Sequence, residues 1–233
     1  MSDNHKDYMG TDKEKEAAGA FAAEAIKEGM TVGVGTGTTA FFFIKALGFR
    51  CRNGLNIKAL ASSQASYELL KTEGIPLLSF DETPTLDITV DGADEITKDK
   101  HMIKGGGGAL LREKIVAASS REMLVIVDEG KVKEKLGAAK LPIEIIPFYH
   151  EATLHKVNAH GYRGTIRGDK GGVFRTDGGH FIYDITLENP LDDPIKTHEL
   201  LLNIPGVIET GIFYNLAGRV VIGKGDGEVE LWQ

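Results

Sequence analysis

The sequence predicts an α/β fold: a parallel sheet covered by helices on both faces, joined to a second, smaller α+β unit. Three observations carry this. Between Asp12 and Val127, short apolar runs alternate with helical patterns, the grammar of βαβ units. After about Leu136 that alternation stops, and two strand patterns around Asp177-Gly178-Gly179 precede a single helix. Glycine makes up 29 of 233 residues, about 12% against a usual value near 7%. Much of the excess falls in two short clusters, which marks local demands on the backbone and not low complexity.

Each element has its own signal. Residues 1–10 are polar and read as a flexible N-terminal extension. Thr11-Asp-Lys-Glu14 fits a capping box. A helix over about 12–28 follows, with Ala17, Ala18, Phe21, Ala25 and Ile26 along one side. A buried strand is expected over 31–34, a loop over 35–38 and a helix over 39–47. A strand over 57–61 precedes a helix over 64–73, ended by Gly74. Strands over 76–79 and 86–90, a loop at 105–108, a helix over 109–119 and a strand over 123–127 complete the alternation. Beyond it come strands over 173–176 and 180–187, a helix over 193–203, and a strand over 220–223 returning to the first sheet. The expected domains are 11–136 with 211–233, and 137–210 between them.

Composition excludes several classes of function. A net charge of −7 and a pI near 5.5 argue against nucleic acid or an anionic membrane surface as partner. A small anionic substrate stays open, because a local site can be positive on an acidic protein. Cys51 is the only cysteine, which excludes an intramolecular disulfide and a multi-cysteine zinc site. No apolar run approaches the ~18 residues of a membrane span. The N-terminal stretch lacks the apolar core of a secretory signal. Together these features predict a cytoplasmic location.

In an open α/β sheet, ligands bind outside the carboxyl ends of the strands. Polar residues recur at those ends here. Gly33-Val-Gly-Thr36-Gly37-Thr38-Thr39 suits a phosphate: glycines admit an anion to the backbone, a helix start offers amides, and threonines add hydroxyls. It is neither a Walker A loop nor a complete GxGxxG, and an ordinary tight turn with a threonine cap would also account for it. Ser62-Ser63 follows the second strand, and Asp128, with Lys131 beyond it, follows the strand over 123–127. Asp91-Gly92-Ala93-Asp94-Glu95 packs three carboxylates into five residues. Their mutual repulsion needs a use: a divalent metal, acid–base chemistry with bonds to sugar hydroxyls, or simple solvation as an acidic turn.

Lys104 is followed by Gly105, Gly106, Gly107 and Gly108, a run whose heavy conformational entropy suits backbone laid against a ligand. Lys104 and Glu113 are nine residues apart. The glycine loop between them lets both face one pocket, which a continuous helix would prevent; Glu113 as a surface ion-pair partner is the plainer alternative. His150, His155 and His160 are spaced by five, so they do not share a helix face. No activating feature surrounds Cys51.

Gly33-Val-Gly-Thr-Gly-Thr-Thr-Ala40, Ser62-Ser63-Gln-Ala-Ser66, Asp91-Gly-Ala-Asp-Glu95 and Lys104-Gly-Gly-Gly-Gly-Ala-Leu-Leu-Arg-Glu-Lys114, in this order and spacing, resemble ribose-5-phosphate isomerase type A. Leu141-Pro-Ile-Glu-Ile-Ile-Pro147 and Ile204-Pro-Gly-Val207 look like that family too, so the resemblance spans about residues 11–230. It implies a Rossmann-like domain with a small α+β lid domain. It implies interconversion of ribose 5-phosphate and ribulose 5-phosphate in the pentose phosphate pathway, with no metal and no organic cofactor. The family's proton-transferring glutamate falls on Glu113, its aspartates on Asp91 and Asp94, and its substrate-binding lysines on Lys104, Lys131 and, in the first helix, Lys15. Its phosphate loop falls on Thr36, Gly37, Thr38 and Thr39, and further substrate contacts on Gly92, Ala93, Gly105, Gly106 and Gly107. A homodimer or homotetramer is implied as well. Threonine at 38 replaces the serine of many members and keeps the hydroxyl. Glycine at 108, where many have alanine, predicts a looser loop.

Two other classes compete. A sugar-phosphate-sensing domain of a transcription regulator would need a helix-turn-helix segment or basic region, and neither is seen. A dinucleotide-dependent oxidoreductase would need an acidic residue where Ser62-Ser63 stands.

Overall fold

The computed structural model describes residues 4–79, 82, 85–169 and 171–233, with the backbone alone for residues 4–11. Elements are numbered along the chain. Two compact units form, one from Met1–Ala93, Arg112–Val132 and Leu216–Gln233, the other from Asp94–Leu111 and Lys133–Asn215.

The first unit is built on a six-stranded sheet of β1 (Thr31–Val34), β2 (Lys58–Ala61), β3 (Ile88–Asp91), β6 (Met123–Asp128), β14 (Ala217–Gly223) and β15 (Val229–Trp232). Their order is β15-β14-β6-β3-β1-β2. All neighbours are parallel except β14 and β15. The helices are α1 (Asn4–Ala25), α2 (Thr38–Arg52), α3 (Gln64–Thr72) and α4 (Leu110–Ala118), whose first two residues belong to the other unit. The core packs Ala18, Ala22 and Ile26 with Phe43, Ile44 and Leu47 of α2 against Val32, Val34, Val90 and Ile126 of the sheet. Both faces of a parallel sheet are covered, which is why β3 and β6 are buried at every position. From β1 the chain moves outward to β2, then returns to place β3 on the other side of β1. The sheet therefore has its switch point between β1 and β3, where the carboxyl ends diverge and leave a crevice.

The second unit holds a four-stranded antiparallel sheet of β7 (Leu141–Ile145), β8 (Gly164–Ile166), β11 (Phe181–Ile185) and β12 (Val207–Thr210), in the order β12-β7-β11-β8. Leu141, Ile143 and Ile145 pair with Ile185, Tyr183 and Phe181. The period of two puts all six on one face, packed with Leu154 and Val157 of α5 (His150–Ala159) and Leu201 of α6 (Pro194–Leu202). Asp193 caps α6 by accepting from the Lys196 N–H. A smaller sheet joins β4 (Glu95–Ile96), β5 (Met102–Ile103) and β13 (Ile212–Phe213), and a short ladder joins β9 (Gly168–Asp169) to β10 (Gly172–Val173). Among the described residues no helix is long and apolar enough to cross a membrane.

Several expectations need correction. The helix expected over 12–28 runs from Asn4 to Ala25, so residues 4–10 of the expected flexible extension are helical and Thr11 is not a cap. Residues 1–3 lie outside the described residues. The strand expected over 76–79 reduces to one bridge between Leu77 and Ala59. The hairpin expected over 173–187 does not form. Both edges of β11 are taken by β7 and β8, so residues 173–176 do not pair with it: Val173 joins β9 instead, and the Thr176 N–H closes a turn onto His180 O at 3.0 Å. The domain boundaries also differ from those expected. Residues 94–111 fall in the second unit because β4 and β5 pair with each other and with β13.

Candidate active site

The switch point gathers the first set of predicted residues. After β1 the chain turns through Gly35, whose N–H donates to Val90 O at 2.9 Å. Gly37 is the N-cap of α2 at φ 113°, a conformation that favours glycine. It has no side chain to cap the first amides, whereas α3 and α6 are capped by Ser63 and Asp193. An uncapped helix start whose amides meet a positive dipole end suits a phosphate. Thr38 is exposed and Thr39 buried. The Thr36 hydroxyl is engaged elsewhere: it donates to Ser63 Oγ at 2.7 Å and lies 3.0 Å from Ser62 Oγ. Ser66 Oγ in turn donates to Gly35 O at 2.6 Å. The serines after β2 thus hold the loop in shape.

Asp91, fully buried at the end of β3, accepts from the Thr36 N–H at 3.1 Å and the Gly92 N–H at 2.7 Å. Gly92 lies beside Thr39: a Cβ on it would stand 3.9 Å from the Thr39 Cβ. The loop after β1 and the acidic motif are therefore joined through Asp91, and this close approach needs glycine at position 35. A Cβ at Gly35 would fall 1.8 Å from Asp91 Oδ1. Gly35→Ala is expected to displace Asp91, lowering stability by about 1–3 kcal/mol and weakening phosphate binding. An unchanged midpoint in chemical denaturation would contradict this packing.

Glu113 sits in the first turn of α4 and is 3% exposed. The helix runs antiparallel to β3: Ser119 O accepts from Leu86 N at 2.8 Å, and Val116 O from Thr89 Oγ1 at 3.3 Å. One turn further back is about 5 Å along the helix, against about 3.3 Å per strand residue. That brings Glu113 level with the Val90–Asp91 end of β3. The helix dipole favours a carboxylate at this position. Lys131 closes the short 3-10 turn Glu129–Lys131 after β6, and Lys15 lies on α1. Burial and the neighbouring Asp128 raise the pKa of Glu14, the residue before Lys15, so α1 reaches the same end of β6.

The second unit holds Asp94, Lys104 and the glycine loop. The Asp94 carboxylate accepts from the Gly106 N–H at 2.8 Å. Glu95, 1% exposed, accepts from the N–H groups of Gly137 and Ala139. The three carboxylates of the acidic motif thus serve three different sets of amides. Lys104 is 3% exposed, with its Nζ 5.5 Å from the centroid of the Phe213 ring, and its backbone N–H donates to Gly211 O at 2.8 Å. Gly105 and Gly108 take φ of 102° and 83°. The Phe174 ring fills the space beside Gly108, where a Cβ would stand 2.5 Å from ring carbons. Ala93 is half-buried between the two sets along the chain.

Arg167 is the residue that the sequence reading missed. Its Nη1 donates to Gly105 O and Gly106 O at 3.0 Å each, while Nε and Nη2 hold both oxygens of Asp184 at 2.9 and 2.5 Å. An arginine in a glycine-rich stretch, with Arg163 and Arg175 close by, has no spacing signal that singles it out, so only the fold reveals it. Among the described residues no group of three or more His, Cys, Asp or Glu is placed to hold a metal ion.

A doubly wound α/β sheet with an uncapped helix start at its switch point, beside buried carboxylates, defines a class of enzyme acting on small phosphorylated substrates. Comparison with known proteins narrows the class. Residues 58–227 match the family model of ribose 5-phosphate isomerase A (phosphoriboisomerase A). Ribose-5-phosphate isomerase A of Protochlamydia amoebophila is 46% identical over 220 residues, covering 94% of this chain and 95% of that protein. The structure of ribose 5-phosphate isomerase from Plasmodium falciparum matches with a TM-score of 0.92 at 32% identity, over 95% of this chain and 98% of that one. A D-ribose-5-phosphate isomerase solved with phospho-erythronic acid matches at 0.91 and 34% identity, over 96% and 99%. The chain belongs to the ribose 5-phosphate isomerase A family.

Proposed function

We propose that the chain interconverts ribose 5-phosphate and ribulose 5-phosphate through an enediolate, with Glu113 as the base, as a step of the non-oxidative pentose phosphate pathway. The observation that carries this is the position of Glu113: buried, in the first turn of α4, level with Asp91 at the switch point. In the forward direction its carboxylate takes the proton from C2. The C–H electrons form the C1–C2 double bond, and the carbonyl electrons move to O1. The proton then returns to C1, while the O2 hydroxyl proton passes to O1.

Lys104 and the glycine-loop N–H groups that Asp94 does not hold, that of Gly107 among them, meet the oxyanion as it develops. Asp91 and Asp94 assist ring opening and orient hydroxyls, alongside Gly92 and Ala93. Phosphate sits at the α2 N-terminus, with Lys15 and Lys131 adding positive charge; this remote binding positions the reacting carbons. The phospho-erythronic acid bound by a relative supports the reading. It joins a phosphate to a carboxylate, whose charge is spread over two oxygens as in an enediolate. No metal or organic cofactor is needed, and the chain acts in the cytoplasm as a homodimer or homotetramer.

Mixing the protein with ribose 5-phosphate in the presence of a chelator tests the reading. Ribulose 5-phosphate appears if it is right; no conversion, or conversion only after a metal is restored, contradicts it. Thr39→Val removes a hydroxyl next to the α2 amides and is expected to weaken ribose 5-phosphate and inorganic phosphate alike, by about 1 kcal/mol or five-fold. Inhibition by phosphate that is unaltered in the folded variant would remove Thr39 from the phosphate site.

A further inference from the structure

We propose that Arg167, held by Asp184, is a positioning residue for the reaction: it orients the peptide units of the 105–107 loop that face the developing oxyanion. The proposal rests on the function proposed above. A glycine run has no side chains to fix its peptide planes, so its shape must come from partners. Arg167 supplies them. Its Nη1 bonds the carbonyls of Gly105 and Gly106 at 3.0 Å each. Among the described residues no peptide bond is cis, and in a trans unit the carbonyl and the next N–H point in opposite directions. The Gly105–Gly106 unit is therefore held at both ends, its carbonyl by Arg167 and its N–H by Asp94 at 2.8 Å. In the next unit the Gly106 carbonyl faces the guanidinium, so the Gly107 N–H is turned away from it, as an oxyanion donor must be.

The clamp is itself fixed. Asp184 takes Arg167 in a two-pronged pair, with both side chains mostly buried, and the Phe174 ring lies 5.7 Å from the guanidinium carbon. Lysine offers no such fork and cannot hold both the carboxylate and the two carbonyls.

Arg167→Ala, Arg167→Lys and the unaltered protein separate the outcomes. A misplaced donor costs catalysis more than binding. Arg167→Ala is expected to lower kcat by about 10- to 100-fold, with KM for ribose 5-phosphate and inhibition by inorganic phosphate within about threefold. Added guanidinium ion should recover part of the loss in Arg167→Ala and do nothing for the unaltered protein. Arg167→Lys should give an intermediate kcat, and it decides the matter if the alanine variant does not fold. By NMR, exchange of the Gly106 amide should quicken at least about tenfold in Arg167→Lys while core amides keep their rates. A kcat within threefold of normal in a folded variant overturns the proposal, as does a loss confined to KM and phosphate affinity. If the unaltered protein leaves ribose 5-phosphate unchanged, the proposed function fails; slow Gly106 exchange in Arg167→Lys would separately overturn the clamp.

Discussion

Glu113→Gln is expected to abolish most turnover while leaving substrate binding nearly intact. Glutamine keeps the size of the side chain and its hydrogen-bonding capacity, but it cannot accept the C2 proton. A positioned general base contributes about 10²–10⁴-fold in rate, so kcat should fall by at least that order. KM for ribose 5-phosphate should move little, because the phosphate site proposed at the α2 N-terminus lies away from the reacting carbons. The first turn of α4 should survive, since the dipole interaction lost with the charge is worth only about 0.3–1 kcal/mol. Turnover within a few-fold of normal would shift the base to Asp91 or Asp94. A variant that simply fails to bind would make Glu113 a ligand contact.

Lys104→Met is the second large effect. Methionine retains the length and the apolar stem over Phe213 but removes the cation. The bond from the Lys104 backbone N–H to Gly211 O does not depend on the side chain, so the strand end should hold. Loss of one preorganised electrophile typically costs about 10²–10³-fold in kcat. Inorganic phosphate should inhibit the variant as it does the unaltered protein. A drop of less than about fivefold would leave the oxyanion to the loop amides alone.

These outcomes draw on residues that differ in how legible they were. β1 falls at the predicted residues, and β6 is one residue longer, because buried parallel strands are short continuous apolar runs bounded by turn signals. The turn between β1 and α2 was legible because glycine and threonine between an apolar run and a helix mark a tight connection. The two missed strands around β11, β7 and β8, lie in the antiparallel unit. There the partners of a strand are distant in sequence, so the turn at 177–179 suggested a hairpin that the pairing of β11 excludes. Thr36 was expected as a donor to phosphate, but its hydroxyl turns to Ser63 across 27 residues of chain, a contact no spacing rule anticipates. Gly108 suggested a loose loop until the Phe174 ring was found beside it. Arg167 was invisible for the same reason: it acts on backbone carbonyls 61 and 62 residues away.

The role of Glu113 is tested most directly by the substrate C2 proton. Ribose 5-phosphate is incubated in D₂O with the unaltered protein and with Glu113→Gln, and the C2–H signal is followed by NMR. Proton transfer through the Glu113 carboxylate predicts that the signal disappears with the unaltered protein and persists with the bound but inactive variant. Continued exchange in Glu113→Gln would show that another group takes the proton.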